Sequence, residues 1–272
     1  MSCASLRCCR SFPSREIVHV LIAVDIGNTS IKLGWFDEPS TDWPRAVGSL
    51  SLSTRDVTTW LALEKLPRDR ASWLVGSVNS DAETQLAKWV AHHRPGDAYR
   101  KLENHQLPIA IEVDFPERVG MDRLLAAVAA NHLRNPQRPA IVVDAGTAVT
   151  VDVVSPSGAF QGGVIWPGWR MMAQSLAGNT EALPLVTAAL TDGPPAILGK
   201  STEKAIRSGL FWGNVGAVRE FIGRLRESLP GEPEVFVTGG DAERLAAFAC
   251  PDARRTDELV LAGIVLTARA GS

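Results

Sequence analysis

The sequence has few of the features that mark membrane proteins or nucleic-acid-binding proteins. No apolar run approaches the roughly 20 residues that a membrane-spanning helix needs. Lysine and arginine number 28 against 30 aspartates and glutamates, so the formal net charge is −2 at pH 7. A chain without basic excess is poorly suited to neutralise nucleic-acid phosphates. We therefore expect neither a membrane nor a nucleic acid among its partners.

Cysteine is also scarce, and its distribution excludes a disulfide framework. Three of the four cysteines lie within the first nine residues, and Cys250 stands alone in the rest of the chain. None has the spacing of a zinc site, and the five histidines lack the spacing of metal-ligand pairs. These observations indicate a reducing, cytoplasmic compartment.

Residues 1–16, MSCASLRCCRSFPSRE, resemble the charged start of a signal peptide, but the resemblance is incomplete. The apolar run that follows, residues 17–24, contains His19 and leads into Asp25 without a small-residue cleavage site. We expect residues 1–20 to be a disordered extension.

The remaining composition is that of a globular protein, with 45% hydrophobic and 21% charged residues. Residues 17–25, 30–36 and 73–78 have the composition of strands, whereas residues 54–66 and 82–93 have apolar side chains at helical spacing. Alternation of strands and helices indicates an α/β fold.

The second half of the chain has the same character. Residues 121–134 form an Ala- and Leu-rich helical pattern, and residues 138–168 predict three antiparallel strands. Residues 201–228 are mostly helical, residues 233–248 predict a strand, a glycine turn and a helix, and residues 259–270 predict a closing helix. We place one domain at 21–115 and the other at 116–272.

An internal repeat links the two halves. The segments VDIGNTSIKLG and VDAGTAVTVDV share an acid, a glycine and a threonine between apolar strands, and begin about 120 residues apart. A repeat of this kind indicates a duplicated domain. The cleft between two copies is a common place for a ligand to bind.

The first copy can bind an anion at its turn. Gly27, Asn28 and Thr29 can direct backbone N–H groups and polar side chains at one point, which favours a phosphate. Asp25 would repel a bare phosphate, but it suits the site if a divalent cation lies between them, held directly or through water. Lys32 can add a positive charge. The alternative is an ordinary hairpin in which Asp and Asn cap the turn.

The second copy strengthens the ligand interpretation. It repeats the acid–glycine–hydroxyl arrangement with Asp144, Gly146, Thr147, Thr150 and Asp152. Two such hairpins facing each other can clamp a nucleoside triphosphate from both sides. The Gly-Gly turn in residues 238–242 suits the close approach of an adenosine.

The stretch RVGMDRLL supplies a candidate general base. Asp122 can accept a proton from an alcohol, and Arg123 can hold a carboxylate or a phosphate with two hydrogen bonds. The alternative is that both residues belong only to a first helical turn, where the helix dipole favours aspartate.

These motifs together resemble the type III pantothenate kinases, a family of the actin, Hsp70 and sugar-kinase superfamily. The resemblance rests on DIGNTSIKLG, GMDR, DAGTAVTVD, GGVIWPG, STEKAIRSG, TGGDA and LVLAG in this order. It implies an α/β fold of duplicated ribonuclease H-like (actin-like ATPase) domains, with mixed sheets, flanking helices and an interdomain cleft.

The resemblance also implies an activity and a set of site residues. The family transfers the γ-phosphate of ATP to the primary hydroxyl of pantothenate, giving 4'-phosphopantothenate, in the first step of coenzyme A synthesis. Asp122 would be the general base, and Asp144 would bind a monovalent cation, potassium or ammonium. The ATP phosphates and Mg²⁺ would be held by Asp25, Gly27, Asn28, Thr29, Lys32 and Thr147. Pantothenate would contact Gly120, Met121, Asp122, Arg123 and Thr202, near the interface of a homodimer.

The chain departs from the family pattern at one substrate position. The family often has a tyrosine three residues before the proline that precedes G-x-D-R, but Val113 stands there and the single tyrosine is Tyr99. Two rival functions remain, an accessory factor of a transcription regulator and another small-molecule kinase. The presence of Asp25, Asp122 and Asp144 favours an enzyme.

Overall fold

The computed structural model describes residues 20–36, 43–187 and 193–271. Residues 1–19, and with them almost all of the predicted N-terminal extension, lie outside the described residues. The first sheet has five strands in the order β3-β2-β1-β4-β5. They are β1 Val20–Ile26, β2 Ser30–Phe36, β3 Gly48–Ser53, β4 Ala71–Ser77 and β5 Ala98–Lys101.

The second sheet repeats the first. Its strands are β6 Ala140–Ala145, β7 Ala148–Val154, β8 Phe160–Pro167, β9 Glu234–Thr238 and β10 Arg254–Arg255. Their order is β8-β7-β6-β9-β10. In both sheets the first three strands in sequence are antiparallel, and the last two are parallel to the first. The predicted duplication is therefore confirmed by topology as well as by sequence.

Helices cover the sheets in layers. The helices are α1 Ser80–His93, α2 Met121–Leu133, α3 Trp169–Gly178, α4 Thr202–Ser228, α5 Ala242–Ala249 and α6 Leu259–Ala270. One core packs α1 against the outer face of the first sheet, and another packs α4 and α5 against the outer face of the second. The largest core places α2 and α6 between the two sheets.

The central position of α2 and α6 explains their sequences. Eight of the 13 residues of α2 and nine of the 12 residues of α6 are buried. A helix that is apolar on nearly all sides is a buried helix. The sequence of β1, VLIAVDI, is nearly continuous in apolar residues for the same reason, because helices cover both faces of its sheet.

The mixed sheets with flanking helices confirm the predicted α/β fold class. The division of the chain near residue 115 stays a prediction. The closing helix α6 packs against β1, β2 and β4 of the first sheet as well as against α2.

The secondary structure differs from the sequence prediction at residues 54–66 and at four elements that the sequence did not predict. Residues 54–66 do not form an α-helix, because the chain follows a 3-10 path over Val57–Lys65. Its first turn is tightened by Asp56, which accepts hydrogen bonds from the backbone N–H and the hydroxyl of Thr58. The sequence analysis also missed α3 and the short strands β3, β5 and β10.

Within the described residues, no helix combines the length and apolar character needed to cross a membrane.

Candidate active site

The two hairpins of the repeat meet tip to tip. In each turn the glycine N–H donates to a backbone carbonyl further along the hairpin, Gly27 to Ser30 and Gly146 to Ala148, both at 2.9 Å. The hydroxyl oxygens of Thr29 and Thr147 lie 2.8 Å apart and share a hydrogen bond. The structure therefore brings the predicted phosphate-binding turns of the two halves into contact.

The backbone of the first turn is braced by β3. The hydroxyl of Thr54 donates to the carbonyl oxygen of Asn28 at 3.0 Å, and the Thr54 N–H donates to the carbonyl oxygen of Thr29 at 3.2 Å. The side chains of Asn28 and Thr29 are exposed at the tip. A fixed backbone with exposed donors is suited to receive an anion.

Two carboxylates stand at equivalent positions in the two halves. Asp25 is the next-to-last residue of β1, and Asp144 is the next-to-last residue of β6. Burial raises the pKa of Asp25 to about 7; Lys32 acts against this shift, and the charges of Asp144 and Asp122 add to it. Burial raises the pKa of Asp144 to about 6, again with Lys32 opposing and with Asp122 among the acids that add to the shift.

Burial is the main cause of both raised pKa values, and the opposing charge of Lys32 does not offset it. A divalent cation and a monovalent cation in this region would supply further positive charge, so the residues present fit the implied metals. In the described part of the chain no group of three or more His, Cys, Asp or Glu side chains can hold a metal ion. Such a metal therefore needs water and phosphate oxygens as further ligands, as Mg²⁺ commonly has.

The segment GMDR opens the central helix. Gly120 is the N-cap of α2, and the Asp122 carboxylate oxygen Oδ1 accepts a hydrogen bond from the N–H of Arg123 at 2.9 Å. Asp122 is half-buried and is close enough to Asp25 and Asp144 to affect the pKa of both. The side chain of Met121 is buried in the central core.

The Arg123 side chain is already held by a residue to which the sequence analysis gave no separate role. Its Nε donates to Asp152 Oδ1 at 3.0 Å and to Oδ2 at 3.2 Å, and its Nη2 also donates to Oδ1. The guanidinium lies 5.5 Å from the centroid of the Phe160 ring. The only signal for this pair in the sequence is the last aspartate of DAGTAVTVD.

Thr202 is not joined to these residues. It is exposed in the first turn of α4, beside the N-cap Ser201, and it makes no hydrogen bond to the other predicted site residues within the described chain. Tyr99 does not replace the missing tyrosine, because it lies in β5 and its hydroxyl donates to Glu83 of α1 at 2.9 Å.

A cavity of about 270 Å³ reaches the Gly-Gly turn of residues 238–240, which lies next to Asp144. Its lining combines Lys32 and parts of β2 and β3 with residues 238–240 and the start of α6. Gly239 has φ +99°, and a Cβ at this position would lie 2.4 Å from Asp144 Oδ1 and 2.3 Å from the Ala145 carbonyl oxygen. Glycine is therefore required where the cavity reaches Asp144.

The paired sheets around a cleft with facing hairpins define the ribonuclease H-like, actin-like class of α/β proteins. The sequence matches the family model described as type III pantothenate kinase over residues 21–224. A type III pantothenate kinase of Alkalilimnicola ehrlichii is 32% identical over 92% of this chain and 98% of its own length. A type III pantothenate kinase of Chlorobaculum parvum is 40% identical over 93% of this chain and 96% of its own length. The chain belongs to the type III pantothenate kinase family.

Among solved structures, a putative N-acetylmannosamine kinase from Listeria monocytogenes resembles this chain with a TM-score of 0.47 and 13% identity. The match covers 93% of this chain and 100% of that one. At this level of similarity the comparison carries no argument about function.

Proposed function

We propose that this chain phosphorylates the primary hydroxyl of pantothenate with ATP, giving 4'-phosphopantothenate, the first step of coenzyme A synthesis. The family provides the substrate class. The observation that best supports the assignment within the structure is the contact between Thr29 and Thr147, because it brings the two predicted phosphate-binding turns together.

The first hairpin is proposed to bind the ATP phosphates. Gly27 shapes the turn around the phosphates, Asn28 and Thr29 donate hydrogen bonds to them, and Lys32 supplies positive charge next to Asp25. Thr147 contacts the phosphates from the other side. A bound Mg²⁺ would neutralise part of the phosphate charge. Asp25 is the residue that would hold this ion, directly or through water. The adjoining cavity at Gly239 receives the nucleoside.

Asp122 is proposed as the general base. A primary alcohol has a very high pKa, so its proton is best removed as the new bond to phosphorus forms, by a carboxylate already in place. The Asp122 side chain is oriented by the N–H of Arg123. The hydroxyl oxygen then attacks the γ-phosphorus in line with the departing ADP oxygen, and Asp122 retains the proton.

Asp144 is proposed to bind a monovalent cation, potassium or ammonium. Its position matches that of Asp25, but its own hairpin provides no cation at the paired position, where Thr150 stands. Burial raises the pKa of Asp144 to about 6 despite the opposing charge of Lys32, which supports a role for a bound cation. A cation bound there lowers this pKa and keeps the carboxylate ionised.

Pantothenate is proposed to lie against Gly120, Met121, Asp122 and Arg123, with its carboxylate on the guanidinium. We also propose a cytoplasmic homodimer, in which Thr202 contacts the substrate near the interface. Five large apolar side chains in the second half are exposed and support such an interface: Ile165, Met171, Leu185, Ile197 and Leu198. A dimer mass in light scattering supports this assembly, and a monomer mass at working concentration refutes it.

A coupled assay of ADP release tests the function. With Mg²⁺-ATP and potassium present, release is expected only when pantothenate is added. If ADP release depends on another alcohol and not on pantothenate, the assignment as a kinase stands and the proposed substrate is wrong. Folded protein without release under any condition would favour the accessory-factor alternative.

A further inference from the structure

The ion pair between Arg123 and Asp152 is largely buried. Their side chains are 16% and 2% exposed. Removing two charges from water is costly, and replacing a buried pair with apolar residues is often neutral or stabilising. A fold that needs only packing at this position does not require the pair.

The sheet is shaped to accommodate the carboxylate. Asp152 of β7 pairs with Gly163 of β8, and the register shifts immediately afterwards, so that β8 carries one extra residue before Phe160 pairs with Val154. A Cβ at Gly163 would lie 2.6 Å from Asp152 Oδ1 and 2.1 Å from the Val151 carbonyl oxygen. Bulges of this kind commonly redirect a side chain near a functional site.

The first half of the molecule has no counterpart of this carboxylate. By strand register, Asp25 with Lys32 corresponds to Asp144 with Thr150, so Gly34 occupies the position equivalent to Asp152. Both residues lie on the strand next to the central one. The duplicated fold therefore forms this strand pair without a carboxylate in one copy.

The contacts to Asp152 use one edge of the guanidinium. Nε and Nη2 of Arg123 donate to Asp152, whereas Nη1 has no hydrogen-bond acceptor within residues 20–36, 43–187 and 193–271. The edge formed by Nη1 and the second N–H of Nη2 thus retains two donors. This planar fork matches a carboxylate in two-point hydrogen bonding. Arg123 directly follows Asp122, which places a carboxylate-binding group beside the proposed base.

We propose that Asp152 is a positioning residue, which fixes the guanidinium of Arg123 so that its remaining edge holds the pantothenate carboxylate. The inference rests on the proposed function. Asp152 touches neither the reacting hydroxyl nor ATP in this arrangement, so it acts on pantothenate binding through Arg123. Its loss therefore raises the KM for pantothenate, while kcat and the KM for ATP change little.

The first test is Asp152→Asn in the full chain. The KM for pantothenate is expected to rise by about tenfold to a hundredfold, because a small displacement of a positioning group has effects of this size. The matched control is Asp97→Asn, which removes the charge from another well-buried pair, Arg94 with Asp97, whose side chains are 15% and 5% exposed. The control should lose thermal stability without a change in the KM for pantothenate.

A double-mutant cycle separates positioning from an independent effect. Arg123→Gln should raise the KM for pantothenate, and Asp152→Asn added to it should raise the KM no further. If Asp152→Asn does not fold alone, the KM for pantothenate is compared between Arg123→Gln and the double variant, in which neither charge remains. Equal KM values in these two variants are the expected result.

Two results would overturn the inference. One is an unchanged KM in Asp152→Asn, and the other is a further rise in KM when Asp152→Asn is added to Arg123→Gln. An active wild type with either result removes this inference alone. A wild type without pantothenate-dependent turnover removes the proposed function, and this inference with it.

Discussion

The two hairpins of the repeat have the same topology but different charges. In the first, Asp25 of β1 pairs with Lys32 of β2; in the second, Asp144 of β6 pairs with Thr150 of β7. The first copy thus contains its own cation, and the second does not. This difference agrees with the two ligands that we propose, the phosphates of ATP at the first copy and a monovalent cation at the second.

The largest expected effect comes from Asp122, whose charge affects the carboxylates of both hairpins. Asp122→Asn should fold normally and lose about 10²- to 10⁴-fold in kcat, the range supplied by a general base. Steady-state ADP release and thermal unfolding measure the two properties. A folded variant with nearly wild-type kcat would show that Asp122 does not take the proton.

Exchanging the charges of the hairpins breaks the comparison directly. Lys32→Thr gives the first hairpin the second hairpin's pairing and should cost about 10²- to 10³-fold in kcat, as the loss of one group that stabilises transition-state charge commonly does.

Thr150→Lys places an ammonium group beside Asp144 and should reduce the dependence of the rate on potassium. The ratio of rates in potassium and in sodium measures this effect.

The control for the second exchange is Thr150→Val, which removes the hydroxyl without adding charge. It should keep the wild-type dependence on potassium. The cation assignment of Asp144 would be contradicted if Thr150→Lys and Thr150→Val depended on potassium to the same degree.

The glycine turn next to Asp144 offers a smaller and more local test. Gly239→Ala places a Cβ against Asp144 and the Ala145 carbonyl at a positive φ, which costs about 1–3 kcal/mol of backbone strain. We expect the KM for ATP to rise by about tenfold, since 1.4 kcal/mol corresponds to that factor. The control is Gly240→Ala, where a Cβ would meet no atom within 4 Å. Equal KM values for ATP in the two variants would argue against a nucleoside at this turn.

The smallest effect is on stability and follows from the pKa values. Folding raises the pKa of Asp25 from 3.8 to about 7 and that of Asp144 from 3.8 to about 6. The folded state therefore binds protons more tightly, and the free energy of unfolding should fall as the pH rises from about 4 to 7. Asp144→Asn should flatten this fall and stabilise the ligand-free protein at pH 8, as measured by urea unfolding.

Asp97 is a control for this prediction, because its pKa in the folded protein is lowered and not raised. Burial raises its pKa, but hydrogen bonds from Trp73, the Ala71 N–H and Arg94 lower it below 3.8 overall. Its stabilising contribution is present near neutral pH and is lost as the pH falls through the folded pKa. Asp97→Asn should therefore destabilise the protein at pH 7. If Asp144→Asn also destabilised the protein at pH 7, that result would contradict the raised pKa of Asp144.

Sequence reasoning predicted the duplicated α/β architecture because the repeat and the apolar strand patterns are local signals. It missed β3 and β5, whose polar side chains give weak patterns, and β10, which has only two residues. It assigned an α-helix to residues 54–66 because apolar spacing does not distinguish an α path from the 3-10 path that Asp56 caps.

The candidate site was predictable to the extent that it follows the repeat. The turns at Gly27 and Gly146 share a motif, and the motif indicated that they face one ligand. The contact of Arg123 with Asp152 depends on how α2 packs over the second sheet and on a bulge in β8, and neither has a local sequence signal. Thr202 and the proposed homodimer stay predictions from the family resemblance.

The most direct test of the division of labour between the hairpins is the cation dependence of the wild-type enzyme. Pantothenate-dependent ADP release is measured with Mg²⁺-ATP in potassium and then with potassium replaced by sodium at equal ionic strength. A large loss of rate in sodium is expected, because the hairpin of Asp144 has Thr150, and not a lysine, at the paired position. Equal rates in the two salts would contradict the proposed cation site at Asp144.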